Sequence, residues 1–259
     1  MFVMESFTTF VETGVFAFML TFVRVGTALF LMPGIGDSYT PTRVRLYIAL
    51  GLTLMMAPIV SVYLPDQIPE TFIMLSLILS EFVIGAFIGL ISRILMMALD
   101  TAGMMISLQS GLANAQIFNP AFASQGSIFG AFLLISGMML IFATNLHHLF
   151  ILGIMHSYES FPIGELPEKG SMAQLAANAV SSAFATGVHI AAPLIVVTTV
   201  LYIGMGVLSR LMPQVQVFML AIPAQLMIAF LIIFLTISAG LMYWLSFYED
   251  GMYFFFSGK

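Results

Sequence analysis

Long apolar runs separated by short polar connectors organise the whole chain. Six runs approach or exceed the length of a membrane span, at residues 7–32, 44–64, 72–108, 128–155, 175–208 and 215–247. A helix that crosses a bilayer needs about 20 mostly apolar residues, and the third and fifth runs are longer than that. We expect extramembrane helix or helical breaks within these two runs, since Pro193 lies inside the fifth. The pattern predicts an all-α integral membrane protein with a single membrane domain over residues 1–259.

The composition supports a membrane protein and excludes several other classes. Of the 259 residues, 61% are hydrophobic and only 7% are charged, whereas soluble domains average about 25% charged residues. Twelve acidic residues against seven basic ones give a net charge of −5, without the basic patch that nucleic-acid binding requires. The chain has no cysteine, which excludes disulfides and thiolate metal sites. No Gly-x-Gly-x-x-Gly, P-loop or Gly-x-Ser-x-Gly motif occurs, so we expect neither an enzyme nor a cofactor.

The connectors differ in charge, and this difference predicts an orientation. On a six-span arrangement, the first and fifth connectors carry the basic residues Arg43, Arg45 and Arg210. The connectors at 65–70 and 157–171 are mainly acidic. Because basic connectors tend to remain on the cytoplasmic side, we expect these three arginines to face the cytoplasm and both termini to lie outside.

Four charged residues lie inside apolar runs, namely Arg24, Glu81, Arg93 and Asp100. Such charges are costly, are usually paired and by default mark a functional site. Glu81 and Arg93 are twelve residues apart and cannot pair on one helix, whereas Arg93 and Asp100 are seven apart and share a face. One hypothesis is an ion or proton path in a secondary transporter or ion channel, although the two related halves that a transporter favours are not evident. The favoured hypothesis is that buried salt bridges fix the register of helices or subunits.

The histidines offer a weaker signal. His148 and His156 are eight residues apart on a predicted helix, and His147 precedes them. Zinc sites on helices use closer ligand spacing and usually a carboxylate. We therefore expect no metal site, and a membrane metalloenzyme built on these histidines is the least favoured alternative.

The central loop, residues 108–127, is unusual because it contains no charged residue. Its polar groups are neutral amides and hydroxyls interleaved with large apolar side chains. Gly111 permits a tight turn, and Pro120 stops a helix. A cavity lined by protein suits this segment, since non-helical backbone at membrane depth is tolerated only where protein or a water-filled cavity surrounds it. An ordinary solvated connector is the alternative, because loops are commonly polar and rich in turn residues.

Short motifs occur in order along most of the chain. Six segments carry them: Pro41-Thr-Arg-Val-Arg45, Thr101-Ala-Gly103, Gln109-Ser-Gly-Leu112, Asn119-Pro120, Phe161-Pro-Ile-Gly164 and Arg210-Leu-Met-Pro-Gln214. Each is weak alone, but together, at this spacing, they resemble the FliR family of flagellar export-gate proteins, which has relatives in injectisomes. The positions that carry the resemblance include Pro41, Arg43, Arg45, Gly103, Gln109, Pro162, Gly164, Arg210, Pro213 and Gln214.

The resemblance implies a subunit of the flagellar type III protein-export gate in the bacterial inner membrane, at the flagellar basal body. FliR-like proteins occur as one copy beside several FliP-like and FliQ-like membrane subunits, with an FlhB-like export switch protein as a further partner. Their apolar helices form bent or broken hairpins within a helical hetero-oligomer, rather than a simple six-span bundle. Unfolded flagellar subunits pass through its lumen, much of the complex lies above the plane of the bilayer, and inner-membrane lipid is a further partner. We favour a flagellar over an injectisome role.

In this family the central loop plugs the export pore at rest. The resemblance implies that role here for Gly111, Leu112, Asn114, Ile117, Phe118, Asn119, Pro120 and Phe122. The chain departs from the family pattern at Met104, Asn119 and Ser209, where an acid, an aspartate and an asparagine are usual. Because Asn114 and Ile117 stand where some members have aromatic residues, we expect the seal to depend on Ile117 and Phe118.

Overall fold

The computed structural model describes residues 2–63, 69–112, 127–164, 169–212 and 217–257. The elements are α1 (Phe2–Leu31), α2 (Thr42–Val60) followed by a 3₁₀ turn (Ser61–Tyr63), α3 (Thr71–Gln109), α4 (Ile128–Ala143), α5 (Leu146–Ser160), α6 (Lys169–Leu211) and α7 (Val217–Ser257). No residue in the described ranges lies in a β-strand. The predicted all-α membrane architecture is therefore confirmed.

The helices provide five or six candidate membrane spans within the described part of the chain. Five are long and apolar enough to cross a bilayer, and α4 with α5 makes a sixth if the bent pair is one span. The chain bends between these two helices at Asn145, which adopts a left-handed φ of 60°. Asparagine enters this conformation more readily than most residues. The fourth apolar run thus contains the broken helix that was expected in this fold.

Three helices are far longer than a single upright span requires. α3, α6 and α7 contain 39, 43 and 41 residues. At 1.5 Å per residue each is roughly 60 Å long, about twice the apolar thickness of a bilayer. Of the two alternatives expected for the third and fifth runs, helical breaks are wrong, because α3 and α6 are continuous. Pro193 lies inside α6, and the helix continues through it although proline removes one backbone donor.

Residue contacts divide the chain into two compact units. The first comprises Met1–Ile94, Asn145–Ala179 and Asp250–Lys259, and the second comprises Leu95–Thr144 and Val180–Glu249. The single membrane domain inferred from the sequence stays a prediction. In the first unit α1 packs along α2, and both contact α5.

Helices α1 and α3 approach each other closely in the first unit. A Cβ at Gly85 would collide with the carbonyl oxygen of Arg24. A Cβ at Gly89 would lie 2.8 Å from the carbonyl oxygen of Ala28. The two glycines are four residues apart, which is the spacing that lets helices in membranes approach backbone to backbone. This close approach brings the polar side chains of α1 and α3 together.

A buried ion pair joins Arg24 of α1 to Glu81 of α3, and neither side chain is exposed. Arg24 donates from Nε to Glu81 Oε2 over 2.6 Å and from Nη2 to Oε1 over 2.7 Å. Arg24 also donates to Ser157 Oγ at 3.2 Å and to Phe161 O at 3.1 Å. Its Cζ atom lies 3.8 Å from the centroid of the Tyr158 ring. The fork of the guanidinium is well suited to such a bidentate pair, and these contacts connect α1, α3 and α5.

Arg93 also lies in the first unit, where it pairs with Asp37 through Nη2 and Oδ1 at 2.5 Å. The two side chains are 41% and 22% exposed, so this charge is less buried than its position in an apolar run indicated. Asp37 belongs to the connector between α1 and α2. Arg45 holds that connector together by donating to the carbonyl oxygens of Gly36, Asp37 and Thr40.

Replacing Glu81 with glutamine should destabilise the protein, because the buried Arg24 guanidinium would lose its counter-charge. Removing one partner of a buried ion pair costs about 3–5 kcal/mol. The matched substitution Asp37→Asn removes a partly exposed pair, for which a loss of about 0–1 kcal/mol is typical. Thermal unfolding of both purified variants in one detergent measures the difference. Equal unfolding midpoints for the two variants would contradict a structural role for the buried pair.

Candidate functional site

The two ends of the central loop lie in the second unit. Leu108 and Gln109, the first residues of the predicted loop, are the last residues of α3; residues 110–112 follow that helix, and Ser127 precedes α4. Gly111 and Leu112 are the predicted plug positions that the structure describes. The remaining plug positions lie outside the described residues, as do two positions that carry the family resemblance: Asn114, Ile117, Phe118, Asn119, Pro120 and Phe122, then Pro213 and Gln214.

The Ser127 cluster, formed by Gly103, Ser107, Ser127 and Gly130, fixes the C-terminal end of the loop. Ser127 Oγ donates to Gly103 O at 2.9 Å and accepts the Gly130 N–H at 2.9 Å. Ser107 Oγ lies 2.6 Å from Ser127 Oγ, and it is the donor because the single Ser127 hydroxyl hydrogen is directed to Gly103. Ser127 is the N-cap residue of α4, where serine is favoured because its oxygen satisfies an N–H of the first turn.

The backbones of α3 and α4 touch within this cluster. A Cβ at Gly103 would collide with the Cα and N atoms of Gly130. Any larger residue at this position would therefore push the two helices apart. The contact gives a physical reason for glycine at position 103, one of the positions that carries the family resemblance.

Asp100 lies beside the first turn of α4. A Cβ at Gly130 would be only 2.8 Å from Asp100 Oδ1, so the carboxylate is close to the helix N-terminus. A negative charge is favourable there because the first backbone N–H groups of a helix carry partial positive charge. Asp100 thus belongs to the surroundings of the loop, while the other predicted intramembrane charges, Arg24, Glu81 and Arg93, lie in the first unit.

Helix α3 ends in a tight turn at Gly111. The Ser110 N–H still bonds to Ile106 O at 2.8 Å, as in an α-helix, whereas the Gly111 N–H bonds to Leu108 O at 3.3 Å. Gly111 then adopts a φ of 79°, a conformation that glycine enters without steric cost. The turn that the sequence predicts at this residue is present.

The Gln109 cluster, formed by Gln109, Thr198, Tyr202 and Gln225, fixes the N-terminal end of the loop. Gln225 Nε2 donates to Gln109 O at 2.5 Å and to the Tyr202 hydroxyl at 2.9 Å. Thr198 Oγ1 lies 2.8 Å from Gln109 Oε1. Thr198 is fully buried and Gln225 is 6% exposed. The cluster joins α3 to α6 and α7, and Gln225 satisfies a carbonyl that a helix C-terminus leaves without an intrahelical partner.

The Gln109 cluster joins the end of α3 to positions well inside α6 and α7 rather than at their ends. Thr198 precedes the end of α6 by thirteen residues, and Gln225 follows the start of α7 by eight. At 1.5 Å per residue, these offsets correspond to about 20 Å and 12 Å along the two helices. The central loop therefore begins between apolar helices and not beside the connector that joins α6 to α7.

Most other positions that carry the family resemblance lie at helix ends and turns. Pro41 is the N-cap residue of α2, and Arg43 is exposed in its first turn. Pro162 and Gly164 follow α5, where Gly164 adopts a φ of 87°. Arg210 is exposed in the last turn of α6. A proline before a helix and a glycine at positive φ are explained by local backbone conformation.

Sequence reasoning missed Thr198, Tyr202 and Gln225. A threonine in an apolar helix normally bonds to its own backbone, so Thr198, which Thr199 follows directly, gave no signal. Gln225 gave a usable signal, because an amide inside an apolar run commonly forms a hydrogen bond to a neighbouring helix.

The site consists of neutral groups rather than metal ligands. The described part of the chain contains no group of three or more His, Cys, Asp or Glu residues that could hold a metal ion. The rings of His147 and His148 are 4.2 Å apart, and His156 lies 3.5 Å from Glu159. Amide, hydroxyl and backbone groups make the hydrogen bonds that position the two loop ends, and the Asp100 carboxylate lies beside the Ser127 cluster.

The fold and the site together define a class: a multi-pass, all-α membrane protein whose uncharged loop is anchored at both ends between helices. The family model of the bacterial export proteins, family 1, matches residues 15–251. The chain belongs to this family of export proteins.

Relatives of known name agree with this assignment. The flagellar biosynthetic protein FliR of Caulobacter vibrioides is 37% identical over 248 residues, which are 95% of this chain and 98% of that protein. FliR of Aquifex aeolicus is 30% identical over 219 residues, 85% of this chain and 84% of that protein. Yop proteins translocation protein T of Yersinia pestis is 28% identical over 166 residues, 63% of this chain and 64% of that protein. The resemblance to the FliR family is confirmed.

The contact between Gly103 and Gly130 predicts that Gly103→Ala is destabilising, because the added methyl group would separate α3 from α4. Overpacking of this kind typically costs about 1–3 kcal/mol. Gly204→Ala in α6 is the matched control, since a Cβ there would meet no atom within 4 Å. Thermal unfolding and the amount of protein in the membrane are the measurements. A Gly103→Ala variant as stable as Gly204→Ala would show that the close approach is unnecessary.

Proposed function

We propose that this chain is a non-enzymatic subunit of the flagellar type III protein-export gate, and that its central loop closes the export pore at rest. The family match and the flagellar relatives support the export role. The position of the Gln109 cluster along α6 and α7 carries the proposal for the loop. The uncharged loop starts beside the apolar interior of these helices and not at the connector between them.

Physical chemistry gives such a loop a means of closing a pore. Irregular backbone among membrane helices must be surrounded by protein or by a water-filled cavity. Apolar contact from Leu112, Ile117 and Phe118 would exclude water, and hydrophobic constrictions can gate by dewetting. Neutral Asn and Gln side chains of the loop would satisfy their own hydrogen bonds without creating a binding site for ions.

The proposed setting is a multi-subunit gate in the bacterial inner membrane, at the flagellar basal body. Phe234 and Met227 of α7 are 82% and 74% exposed, and large apolar surfaces of this kind are covered by lipid or by other membrane subunits. FliP-like and FliQ-like subunits and an FlhB-like switch protein are the proposed partners. Unfolded flagellar subunits are the proposed cargo.

The geometry of the intramembrane charges favours a structural role over the alternative of a secondary transporter or ion channel. Arg24 and Glu81 neutralise each other in a buried pair. Arg93 forms an ion pair with Asp37, and Asp100 lies beside the first turn of α4. Proton or ion coupling needs groups that exchange partners, whereas these charges are held by local contacts.

Replacing residues 113–125 with a short Gly-Ser linker should make the membrane permeable to ions while the gate still assembles. The linker would remove the apolar side chains that we propose exclude water, and both anchored ends would remain. Ion permeability is measured in membrane vesicles with a potential-sensitive dye, and assembly is measured by native gel electrophoresis.

A control variant carries the same linker in place of residues 165–168, in the connector after α5, and should remain impermeable. If the vesicles with the altered central loop hold a potential as well as this control, the loop does not close the pore.

A further inference from the structure

An open apolar groove lies between α1 and α3 in the first unit. Its walls come from Phe22, Gly26 and Phe30 of α1 and from Leu75, Leu79 and Phe82 of α3. The groove has a volume of about 360 Å³, which is in the range of small-molecule sites. Among the described residues that line it, only Thr27 has a polar side chain, and its hydroxyl donates to Val23 O in its own helix. The groove therefore suits a ligand that is itself hydrocarbon.

Gly26 leaves space in this groove. A Cβ added at Gly26 would meet no atom closer than 3.9 Å, in the ring of Phe22. A Cβ at Gly85 or Gly89 would instead collide with the backbone of α1. The close packing of α1 on α3 therefore depends on the latter two glycines, whereas the space beside Gly26 stays open to a ligand.

Arg93 lies on the same face of α3 as the groove. It follows Leu75 by eighteen residues and Phe82 by eleven, which correspond to about five and three helical turns. At 1.5 Å per residue, Arg93 is about 16 Å from Phe82 along the helix. This distance is close to half of the roughly 30 Å apolar thickness of a bilayer. A lipid with its phosphate at Arg93 could thus extend one acyl chain along the groove.

The connector between α1 and α2 brings positive charge to this end of the groove. Gly36 packs against the backbone of Phe30, since a Cβ there would collide with Phe30 O. The next residue, Asp37, pairs with Arg93 and accepts at its carbonyl oxygen from Arg45. Two arginines against one aspartate leave one net positive charge, which is complementary to the phosphate of an anionic lipid.

Arg93 has donors that can bind such a phosphate. An arginine has five N–H groups, and the structure shows one hydrogen bond from Arg93, between Nη2 and Asp37 Oδ1. The side chain is also partly exposed. Arg45 differs, because it donates to three carbonyl oxygens of the connector. The fork of a guanidinium is well suited to phosphate oxygens, so Arg93 is the better candidate of the two.

Two exposed tyrosines indicate the depth of this end of the unit. Tyr39, in the connector, is 71% exposed, and Tyr47, in α2, is 68% exposed. Tyrosine is enriched where membrane proteins meet the lipid headgroups. This enrichment supports a connector at headgroup level, with the groove extending from it into the apolar layer.

We propose that an anionic phospholipid binds to the first unit, with its phosphate on Arg93 and one acyl chain in the groove between α1 and α3. An apolar groove alone would also suit a helix of a partner subunit. The positive charge, about half a bilayer thickness from the groove, favours a lipid, because a lipid joins an anion to a hydrocarbon chain of that length. The inference does not depend on whether the central loop closes a pore.

Lipid binding is measured on the full chain, extracted gently from its own membranes with any subunits that stay bound and then stripped of lipid. Phosphatidylglycerol is titrated into the protein, and native mass spectrometry counts the lipids that bind. We expect a saturable site for phosphatidylglycerol. Phosphatidylcholine should fill it more weakly, because its headgroup has no net charge.

Gly26→Leu tests the groove, because the new side chain would occupy the space proposed for the acyl chain. Affinity for phosphatidylglycerol should fall roughly a hundredfold, since each displaced methylene group contributes about fourfold. Gly51→Leu in α2 is the matched control. A Cβ there would meet no atom within 4 Å, and Gly51 lies outside the groove, so this variant should bind like the parent.

Arg93→Gln tests the phosphate contact and should weaken binding roughly tenfold, as expected for loss of a hydrogen bond to a charged group. Arg43→Gln is its control, because it removes the same charge from the exposed first turn of α2. This control should keep the parent affinity. The two test variants act at opposite ends of the site, so either one decides the inference if the other fails to fold.

Equal affinities for Gly26→Leu and Gly51→Leu would overturn the inference. Equal weakening by Arg93→Gln and Arg43→Gln would also overturn it, since the lipid would then respond only to overall charge. A parent protein without a saturable site would contradict it outright. In that case, cross-linking of a thiol introduced by Leu79→Cys to another membrane subunit would identify a partner as the occupant of the groove.

Discussion

The last carbonyl of α3, Gln109 O, finds its hydrogen-bond partner on the neighbouring helix α7. A buried carbonyl without a partner costs roughly 1–3 kcal/mol, and Gln225 supplies the donor for Gln109 O. Backbone groups at the start of α4 also need partners. Ser127 Oγ accepts the Gly130 N–H and donates to Gly103 O. This requirement accounts for the neutral side chains at the two ends of the loop and for the glycines at the contact between α3 and α4.

The two units use polar residues in different ways. In the first, charge is neutralised by charge, and the Arg24–Glu81 pair connects helices in one fixed geometry. In the second, hydroxyl and amide groups of the Gln109 cluster hold the end of α3 through neutral hydrogen bonds. The export gate that we propose would have to exclude ions at rest and still admit a polypeptide. The Gln109 cluster places no charged group at the end of α3.

The helical architecture follows from the sequence, because runs of more than 20 apolar residues leave few alternatives to membrane helices. The turn at Gly111 also follows, since glycine in that context favours positive φ. The pairings between side chains on different helices do not follow from the sequence. Spacing along one helix identifies neighbours three, four or seven residues away, whereas Arg24 pairs with Glu81 across 57 positions and Gln225 reaches Gln109 across 116. Asp37 was missed as the partner of Arg93 because it lies in a connector with no distinguishing pattern.

Native mass spectrometry of the tagged chain, expressed at low level and extracted gently from its own membranes, tests the export-gate assignment most directly. We expect a large hetero-oligomer that contains one copy of this chain and several copies of two smaller hydrophobic proteins. Such a complex would account for the exposed apolar faces and for helices longer than a bilayer requires. A monomer or a small homo-oligomer, reproduced across several mild detergents, would contradict the assignment.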